Sequence, residues 1–264
     1  MYAAQKGKKE MIKFLLSNGA SIDINDRSGK NVISYAKNET ISSLLKRYRK
    51  RSDDKISEMM HAVYYSEIKL IKHLLKEGLD VNAQDNYGKT ALMIASREND
   101  IAVINLLIKN GAYVNMMDYD GKTALLYAGT LQTIKYLLKN GADINICSEK
   151  GSDVVSLRIS QRENKDVTYL IKKFPDSISK KGNFYLVVAS TSGNLDIVKI
   201  LLNMGVDINS GSALSETLNC FRLRPENIEV IKFLLEQGAI VTESLIKRTY
   251  DKKLKELLKN YIKE

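Results

Sequence analysis

Two short sequences led by glycine come closest to phosphate chemistry in this chain of 264 residues. Gly88-Lys-Thr90 and Gly121-Lys-Thr123 both match the end of a P-loop, in which backbone N–H groups and a lysine hold phosphate oxygens. A P-loop also needs a glycine five residues earlier, after a strand, and Ala83 and Met116 occupy those positions. The amide cradle cannot form without that glycine, so we interpret both copies as turns.

The other candidates for chemistry are incomplete as well. Asp118-Tyr-Asp-Gly121 begins like a calcium loop but lacks the further carboxylates and the closing glutamate. Neither His61 nor His73 has a cysteine near it in sequence, which favours partly buried packing over a metal site. No nucleophile is placed beside either histidine, so no base can be assigned to activate one. We therefore predict a protein that is not an enzyme and that uses no metal and no cofactor.

The first of these turns belongs to a longer sequence that recurs. Residues 88–95, Gly-Lys-Thr-Ala-Leu-Met-Ile-Ala, reappear at residues 121–128 as Gly-Lys-Thr-Ala-Leu-Leu-Tyr-Ala. Thr90 is placed to cap a short apolar helix, and residues 101–108 carry a second helical stripe that ends at Gly111. Neither helix could bury its apolar face alone, so the pattern predicts stacked helix pairs.

The pattern resembles the ankyrin repeat family, whose units of ~33 residues contain a turn, two antiparallel helices and a Thr-Pro-Leu-His-x-Ala motif. That motif corresponds to residues 90–95 and 123–128, and the family's closing Gly-Ala-Asp-Val-Asn corresponds to residues 78–82, 111–115, 141–145 and 205–209. Met93 or Leu126 replaces the histidine, so we expect apolar packing in place of its hydrogen bonds. The resemblance implies an all-α fold, an ankyrin-repeat solenoid of helix-turn-helix units with short β-turn fingers.

We divide the chain, as a single ankyrin-repeat domain, into nine units. Their approximate bounds are 1–25, 26–51, 52–84, 85–117, 118–147, 148–178, 179–211, 212–241 and 242–264. The first unit lacks the start of its first helix, which favours a truncated array over a chain that starts with half a repeat. In the sixth unit Arg158 replaces a small alanine and Phe174-Pro175 replaces the glycine cap, so we expect the array to be softest there.

The net charge of +10 is concentrated in two segments. Residues 46–55 hold six basic and two acidic side chains, and residues 247–264 hold seven basic and three acidic ones, so each contributes +4. A chain that wraps nucleic acid is expected to carry a continuous basic stripe instead. We interpret residues 46–51 as the solvated end of a helix, where cations suit the helix dipole, and leave open a nuclear-import or acidic-partner patch. This basic patch consists of Lys46, Arg47, Arg49, Lys50 and Arg51.

Targeting signals are missing from the sequence pattern. No apolar run approaches the ~18 residues of a membrane span, and the first residues do not form the apolar core of a signal peptide. Cys147 and Cys220 are far apart in sequence and are expected to be free thiols in a reducing compartment. We therefore expect a cytoplasmic monomer without a membrane partner; delivery into a host cell is left open.

The resemblance implies a non-catalytic scaffold that binds a partner protein, rather than a small-molecule substrate, through its concave groove and finger loops. The alternative is polyanion or nucleic-acid binding through the basic patches at residues 46–51 and 247–263. Tyrosine and arginine are enriched at interface hot spots, although each tyrosine could instead pack on its neighbour. Aligned with the family, the finger and inner-helix positions predict partner contacts at Tyr64, Tyr65, Tyr87, Lys89, Arg97, Tyr119 and Lys122.

Overall fold

The computed structural model of the chain is an array of short helices. It describes residues 1–17, 22, 26–220 and 223–262, with the side chains of residues 17, 47, 48 and 50–52 outside the description. Those ranges contain no β-strand, and their β-structure is limited to two isolated bridges, Gln84 with Thr90 and Val241 with Ile262. The expected all-α class of repeated helix pairs is therefore confirmed.

The helices fall into two compact units. The first unit comprises residues 1–95 and 102–112, and the second comprises residues 96–101 and 113–264. The first contains α1 Tyr2–Gln5, α2 Lys9–Ser17, a 3₁₀ helix Val32–Tyr35, α3 Glu39–Tyr64, α4 Ile68–Lys76 and most of α5 Ala91–Glu98 and α6 Ile101–Lys109. The second contains α7 Ala124–Tyr127, α8 Leu131–Lys139, α9 Val154–Ser160, α10 Asn164–Lys173, α11 Pro175–Lys180, α12 Gly182–Thr191, α13 Leu195–Asn203, α14 Ala213–Leu218, α15 Pro225–Glu236, α16 Glu243–Arg248 and α17 Lys252–Lys259.

Left-handed glycines end the second helix of five pairs, as the sequence predicts. Their φ angles lie between 84° and 90°, a region that costs glycine little because it has no Cβ. These glycines are Gly78, Gly111, Gly141, Gly205 and Gly238.

Asparagine side chains connect successive turns within each unit. In the first unit Asn82 Nδ2 donates to the carbonyl oxygen of Gly111 at 3.1 Å. In the second, Asn115 Nδ2 donates to the carbonyl oxygen of Gly141 at 2.9 Å, and Asn115 Oδ1 accepts the N–H of Asp143 at 2.9 Å. The asparagine that closes the Gly-Ala-Asp-Val-Asn sequence therefore joins one repeat to the next.

The leucine four residues before each turn glycine marks the packed side of a second helix. In α4, α6, α8, α13 and α15 this leucine is at most 2 % exposed: Leu74, Leu107, Leu137, Leu201 and Leu234. The equivalent Leu15 of α2 is 42 % exposed, and Met11 and Phe14 beside it are exposed as well. Helix α2 thus leaves exposed the leucine that the other second helices bury.

Helix α3 is longer than the repeat pattern predicts. It starts after Asn38, whose side-chain oxygen accepts the N–H of Ile41 at 3.0 Å, and it ends before Ser66, where φ is 57°. The interpretation of residues 46–51 as the end of a helix is wrong, because α3 continues through them. Residues 46–58 contain no glycine or proline that could stop the helix. The predicted border between residues 51 and 52 therefore falls inside α3.

Arg158 of the sixth repeat is buried and hydrogen-bonded. Helix α7 has four residues and leaves the carbonyl groups of Ala128 and Gly129 beyond its end. The guanidinium donates to both of these oxygens and to Oε1 of Gln161 at 3.0 Å. Its Nε lies 3.7 Å from Oδ2 of Asp166, which is buried too. The Arg158 side chain thus supplies donors to carbonyl groups at the end of the short helix α7, at a repeat where the sequence indicated a lost contact. That the array opens most easily at this repeat stays a prediction.

The Phe174-Pro175 pair starts an additional helix. Phe174 ends α10, and Pro175 occupies the first position of α11, where the absent N–H of proline needs no partner. The repeat pattern did not predict α11, which follows directly where the other pairs have a glycine turn.

Candidate functional site

The finger turn of the first unit is held by Asp85. Its Oδ1 accepts the backbone N–H groups of Tyr87 and Lys89, both at 2.8 Å. These bonds fix the turn through its backbone, so the Tyr87 side chain is not needed to support it and is 72 % exposed. The Lys89 Nζ lies 5.8 Å from the centre of the Tyr87 ring. The turn therefore presents an aromatic ring together with a cation on a fixed backbone.

The finger turn of the second unit has the same construction. Asp118 Oδ1 accepts the N–H of Asp120 at 2.9 Å and that of Lys122 at 2.8 Å, and Tyr119 at the tip is 67 % exposed. Lys122 differs from its counterpart in the first unit. Its Nζ lies 3.3 Å from Asp120 Oδ2 and 5.8 Å from the centre of the Tyr127 ring. Of the two predicted contacts in this turn, Tyr119 is therefore more available to a partner than Lys122.

The anchoring aspartates are the functional residues that the sequence analysis did not identify. The available signal was an aspartate three residues before the turn glycine, present at Asp26, Asp85 and Asp118. Asp118 belongs to the sequence that begins like a calcium loop. Its position is explained by the turn, because a short side-chain carboxylate can accept backbone N–H groups two to four residues ahead.

In two of these three turns, a tyrosine hydroxyl binds the second carboxylate oxygen of the aspartate. The hydroxyl of Tyr35 donates to Asp26 Oδ2, and that of Tyr127 donates to Asp118 Oδ2. The bond from Tyr35, followed by N–H bonds from the turn, lowers the pKa of Asp26 well below its usual range. Burial, followed by the bond to Asp118, raises the pKa of Tyr127. Each tyrosine thus ties a short helix to the finger before it.

The histidine position of the repeat is apolar, as the sequence predicts. Met93 and Leu126 are both buried. Apolar packing at this position is thus as expected, and in the fifth repeat the next residue, Tyr127, adds a hydrogen bond to Asp118. Ile94 occupies the Tyr127 position in the fourth repeat and offers no hydroxyl. The bond between tyrosine and the turn aspartate therefore occurs in the second and fifth repeats and not in the fourth.

Three exposed rings gather at the end of α3. The ring centres of His61 and Tyr65 are 4.5 Å apart, and those of Tyr64 and Tyr65 are 4.9 Å apart in an edge-on arrangement. Tyr65 is nevertheless 59 % exposed. The expected partial burial of both histidines is wrong, because His61 is exposed and His73 is exposed with Nε2 3.4 Å from Glu77 Oε1.

The predicted contact residues are divided between the two units. Arg97 is exposed in the second unit, with its Nε 2.9 Å from Glu98 Oε1. The first unit holds Tyr64, Tyr65, Tyr87 and Lys89, and the second holds Arg97, Tyr119 and Lys122. We therefore treat them as two sets, each presented by its own unit.

The basic patch is only partly described. Lys46 and Arg49 line an open cleft of about 430 Å³, with Asp53 on the same helix and the residues around Ile33 opposite. The side chains of Arg47, Lys50 and Arg51 lie outside the described residues, as does Lys263 of the second segment. In that segment Lys259 Nζ lies 2.8 Å from Glu256 Oε1.

The described ranges contain no group of three or more His, Cys, Asp or Glu side chains that could hold a metal ion. None of the helices described there combines the length and the apolar character needed to cross a bilayer.

Comparisons with known proteins agree on one kind of repeat. A family model described as ankyrin repeats (3 copies) matches residues 59–148 and 128–212, and one described as ankyrin repeat matches residues 1–27. An ankyrin repeat protein of fowlpox virus (strain NVSL) is 34 % identical over 229 residues, covering 83 % of this chain and 41 % of the relative.

Two further relatives are similar over shorter stretches. An ankyrin repeat protein of Acanthamoeba polyphaga mimivirus is 30 % identical, covering 59 % of this chain and 27 % of its own length. Ankyrin repeat domain-containing protein 46 of Rattus norvegicus is 40 % identical, covering 42 % of this chain and 49 % of its own length. The chain spans less than half the length of each of these three curated relatives.

Proposed function

Because the chain belongs to the ankyrin repeat family, we propose that it is a non-catalytic scaffold that binds a partner protein through side chains of its fingers and inner helices. Proteins of this family generally mediate protein–protein interaction. The contacts proposed in the first unit are Tyr64, Tyr65, Tyr87 and Lys89, and those in the second are Arg97, Tyr119 and Lys122.

The observation that carries this proposal is the pair of exposed finger tyrosines on turns that aspartates hold by backbone bonds. Tyr87 and Tyr119 each follow an aspartate whose carboxylate fixes the turn, and both rings are largely exposed. A fixed backbone reduces the conformational entropy that binding must remove, and a large exposed ring supplies apolar area to bury. Rigid tyrosines of this kind are common among residues that dominate protein interfaces.

The test starts with affinity capture on the immobilised chain at low and high salt, with identification of the retained protein by mass spectrometry. The purified partner is then titrated calorimetrically against Tyr87→Ala and Tyr119→Ala. Each substitution is expected to cost ~1–3 kcal/mol of binding free energy. The thermal midpoint of unfolding should stay nearly unchanged, because neither ring supports its turn.

Tyr250→Ala is the matched control, since Tyr250 is fully exposed and lies outside both proposed sets. It should leave partner affinity unchanged. The proposal fails if a combined alanine variant of Tyr64, Tyr65, Tyr87 and Tyr119 binds the partner as tightly as the unchanged chain does.

A further inference from the structure

The carboxyl-terminal half of α3 carries an exposed stripe that joins carboxylates to aromatic rings. Asp54, Glu58, His61 and Tyr65 follow one another at intervals of four, three and four residues, which places them along one side of the helix. All four are exposed, and Tyr64 lies beside the last of them. We name these five residues the α3 stripe; they all belong to the first unit.

The rings of the stripe are held by one another. Tyr65 contacts both His61 and Tyr64, with ring centres within 5 Å in each case. Rings that restrict one another lose less side-chain freedom on binding than isolated rings do. Even so, Tyr65 keeps more than half of its surface open. The open surface of Tyr65 can therefore meet a ligand, and an aromatic face attracts cations.

The charge of the stripe is opposite to that of the whole chain. The chain carries +10, whereas the stripe carries two carboxylates. Lys55 is the basic residue nearest to them in the described part of α3, and its Nζ bonds to Glu77 of α4. Glu58 lies seven residues beyond the end of the basic patch, roughly 10 Å along the helix axis. At physiological salt the screening length is about 8 Å, so Glu58 lies beyond the strongest influence of the basic patch, whereas Asp54, three residues after Arg51, lies within it.

We propose that the α3 stripe receives a segment of the partner protein that carries two arginine side chains. This inference rests on the proposed function and specifies the chemistry of the partner there. One guanidinium stacks on the exposed surface of Tyr65 and the other pairs with Glu58, because arginine combines flat stacking with paired bonds to a carboxylate. Glu58 and Tyr65 are about 10 Å apart along the axis. In an extended polyproline-type segment, residues three apart lie on one side at about 9 Å, so Arg-x-x-Arg matches the stripe.

The probe is the peptide Gly-Ser-Arg-Pro-Pro-Arg-Ser-Gly, titrated into the full chain with its tyrosine and histidine rings labelled for NMR. At physiological salt we expect saturable shifts of the His61, Tyr64 and Tyr65 ring signals. The same peptide with citrulline for arginine keeps the shape and loses the charge, and it should not shift these signals. Because a chain of net charge +10 repels a cationic peptide at long range, such binding cannot arise from general attraction.

Three variants test the assigned contacts. Glu58→Lys and Tyr65→Ala should each weaken peptide binding about three- to ten-fold, whereas Tyr65→Phe keeps the ring and should bind nearly as well as the unchanged chain. Glu149→Lys is the matched control, because it changes the net charge equally at an exposed position of the second unit. Circular dichroism melting shows whether each variant is folded.

Equal binding of the citrulline peptide, or unchanged binding by Glu58→Lys and Tyr65→Ala, would overturn the proposal. It would also be overturned if sedimentation detects a dimer that Glu58→Lys abolishes, since the occupant would then be a second copy of the chain. If partner binding depends on Tyr87 and Tyr119 but the peptide does not bind, the proposed function stands and only the arginine proposal is overturned. If the peptide binds while the combined alanine variant of Tyr64, Tyr65, Tyr87 and Tyr119 binds the partner as tightly as the unchanged chain does, the proposed function is refuted instead.

Discussion

The bond between Tyr35 and Asp26 makes one finger sensitive to acid. Tyr35 is the largest cause of the lowered pKa of Asp26, and the N–H groups of the turn add to it. A carboxylate whose folded pKa is depressed stabilises the folded state above its unfolded pKa of ~3.9, and this contribution is lost as the pH falls below that value. Tyr35→Phe should therefore move the pKa of Asp26 upward, leaving it below the usual value because the N–H bonds remain.

Carboxyl-carbon NMR titration between pH 2 and 6 measures this change directly. Tyr64→Phe is the control, because its hydroxyl is not the one that bonds to Asp26. An unchanged Asp26 titration in Tyr35→Phe would mean that the turn N–H groups alone hold the carboxylate.

Arg158 is the second residue whose role depends on its particular atoms. Its guanidinium serves the carbonyl oxygens of Ala128 and Gly129 and lies beside Asp166. Burial raises the pKa of Asp166, and Arg158 opposes that rise. A lysine ends in one nitrogen and lacks the two separately placed nitrogens with which Arg158 reaches Ala128, Gly129 and Gln161. Arg158→Lys should therefore lower the free energy of unfolding by about 1–3 kcal/mol, since a buried acceptor is left without a donor.

Urea unfolding followed by circular dichroism gives this free energy. Arg248→Lys makes the same chemical change at an exposed position of α16 and should alter stability by less than about 0.5 kcal/mol. Equal stability of the two variants would show that the Arg158 hydrogen bonds contribute nothing measurable.

At the scale of the element, the continuity of α3 is open to a direct test. Asp53 is exposed near the middle of the helix. Proline at this position removes an N–H and clashes with the carbonyl group one turn earlier, which costs ~3 kcal/mol or more inside a helix. Asp53→Pro should therefore destabilise the chain and reduce its helical signal at 222 nm. Asp53→Ala is the control and should be tolerated. If residues 46–55 formed a connection between two helices, the proline variant would unfold like the alanine variant.

The regular elements were predictable because their causes are local. The Thr-Ala-Leu sequence, the buried leucines and the left-handed glycines recur at a near-constant period, so the helix pairs and the family could be inferred from them. The fusion of two helices in α3 was harder to infer, since it follows from a turn glycine that is missing at one repeat. The exposure of Tyr64, Tyr65, Tyr87 and Tyr119 also followed from alignment to the repeat. Their use as a binding surface stays a prediction.

Contacts between repeats could not be read from the sequence in the same way. Arg158 looked like a defect when compared with the small residue it replaces. Its partners, Ala128 and Gly129, belong to the preceding repeat, where the short helix α7 ends and leaves their carbonyl groups beyond it. Two irregularities about 30 residues apart therefore compensate each other, and a comparison of each repeat with the consensus treats them separately.

At the scale of the whole molecule, the net charge of +10 raises the question of polyanion binding. Lys46 and Arg49 are exposed on α3 and share a cleft with Asp53, and Lys259 in the other basic segment is paired with Glu256. Cations with neighbouring carboxylates gain less from releasing the counterions of a nucleic acid. We therefore expect the chain to bind a short DNA duplex weakly at 50 mM salt and to lose most of that binding at 150 mM.

Fluorescence anisotropy of a labelled duplex at the two salt concentrations measures this loss. A chain that neutralises only a few phosphates should lose roughly ten- to a hundred-fold in affinity over this interval, because the logarithm of affinity falls in proportion to the number of phosphate contacts. Lys46→Glu combined with Arg49→Glu should abolish the low-salt binding if α3 provides the contacts, while Glu149→Lys should leave it or strengthen it slightly. Tight binding that persists at 150 mM and disappears in the α3 double variant would instead favour nucleic acid over protein as the ligand of this helix.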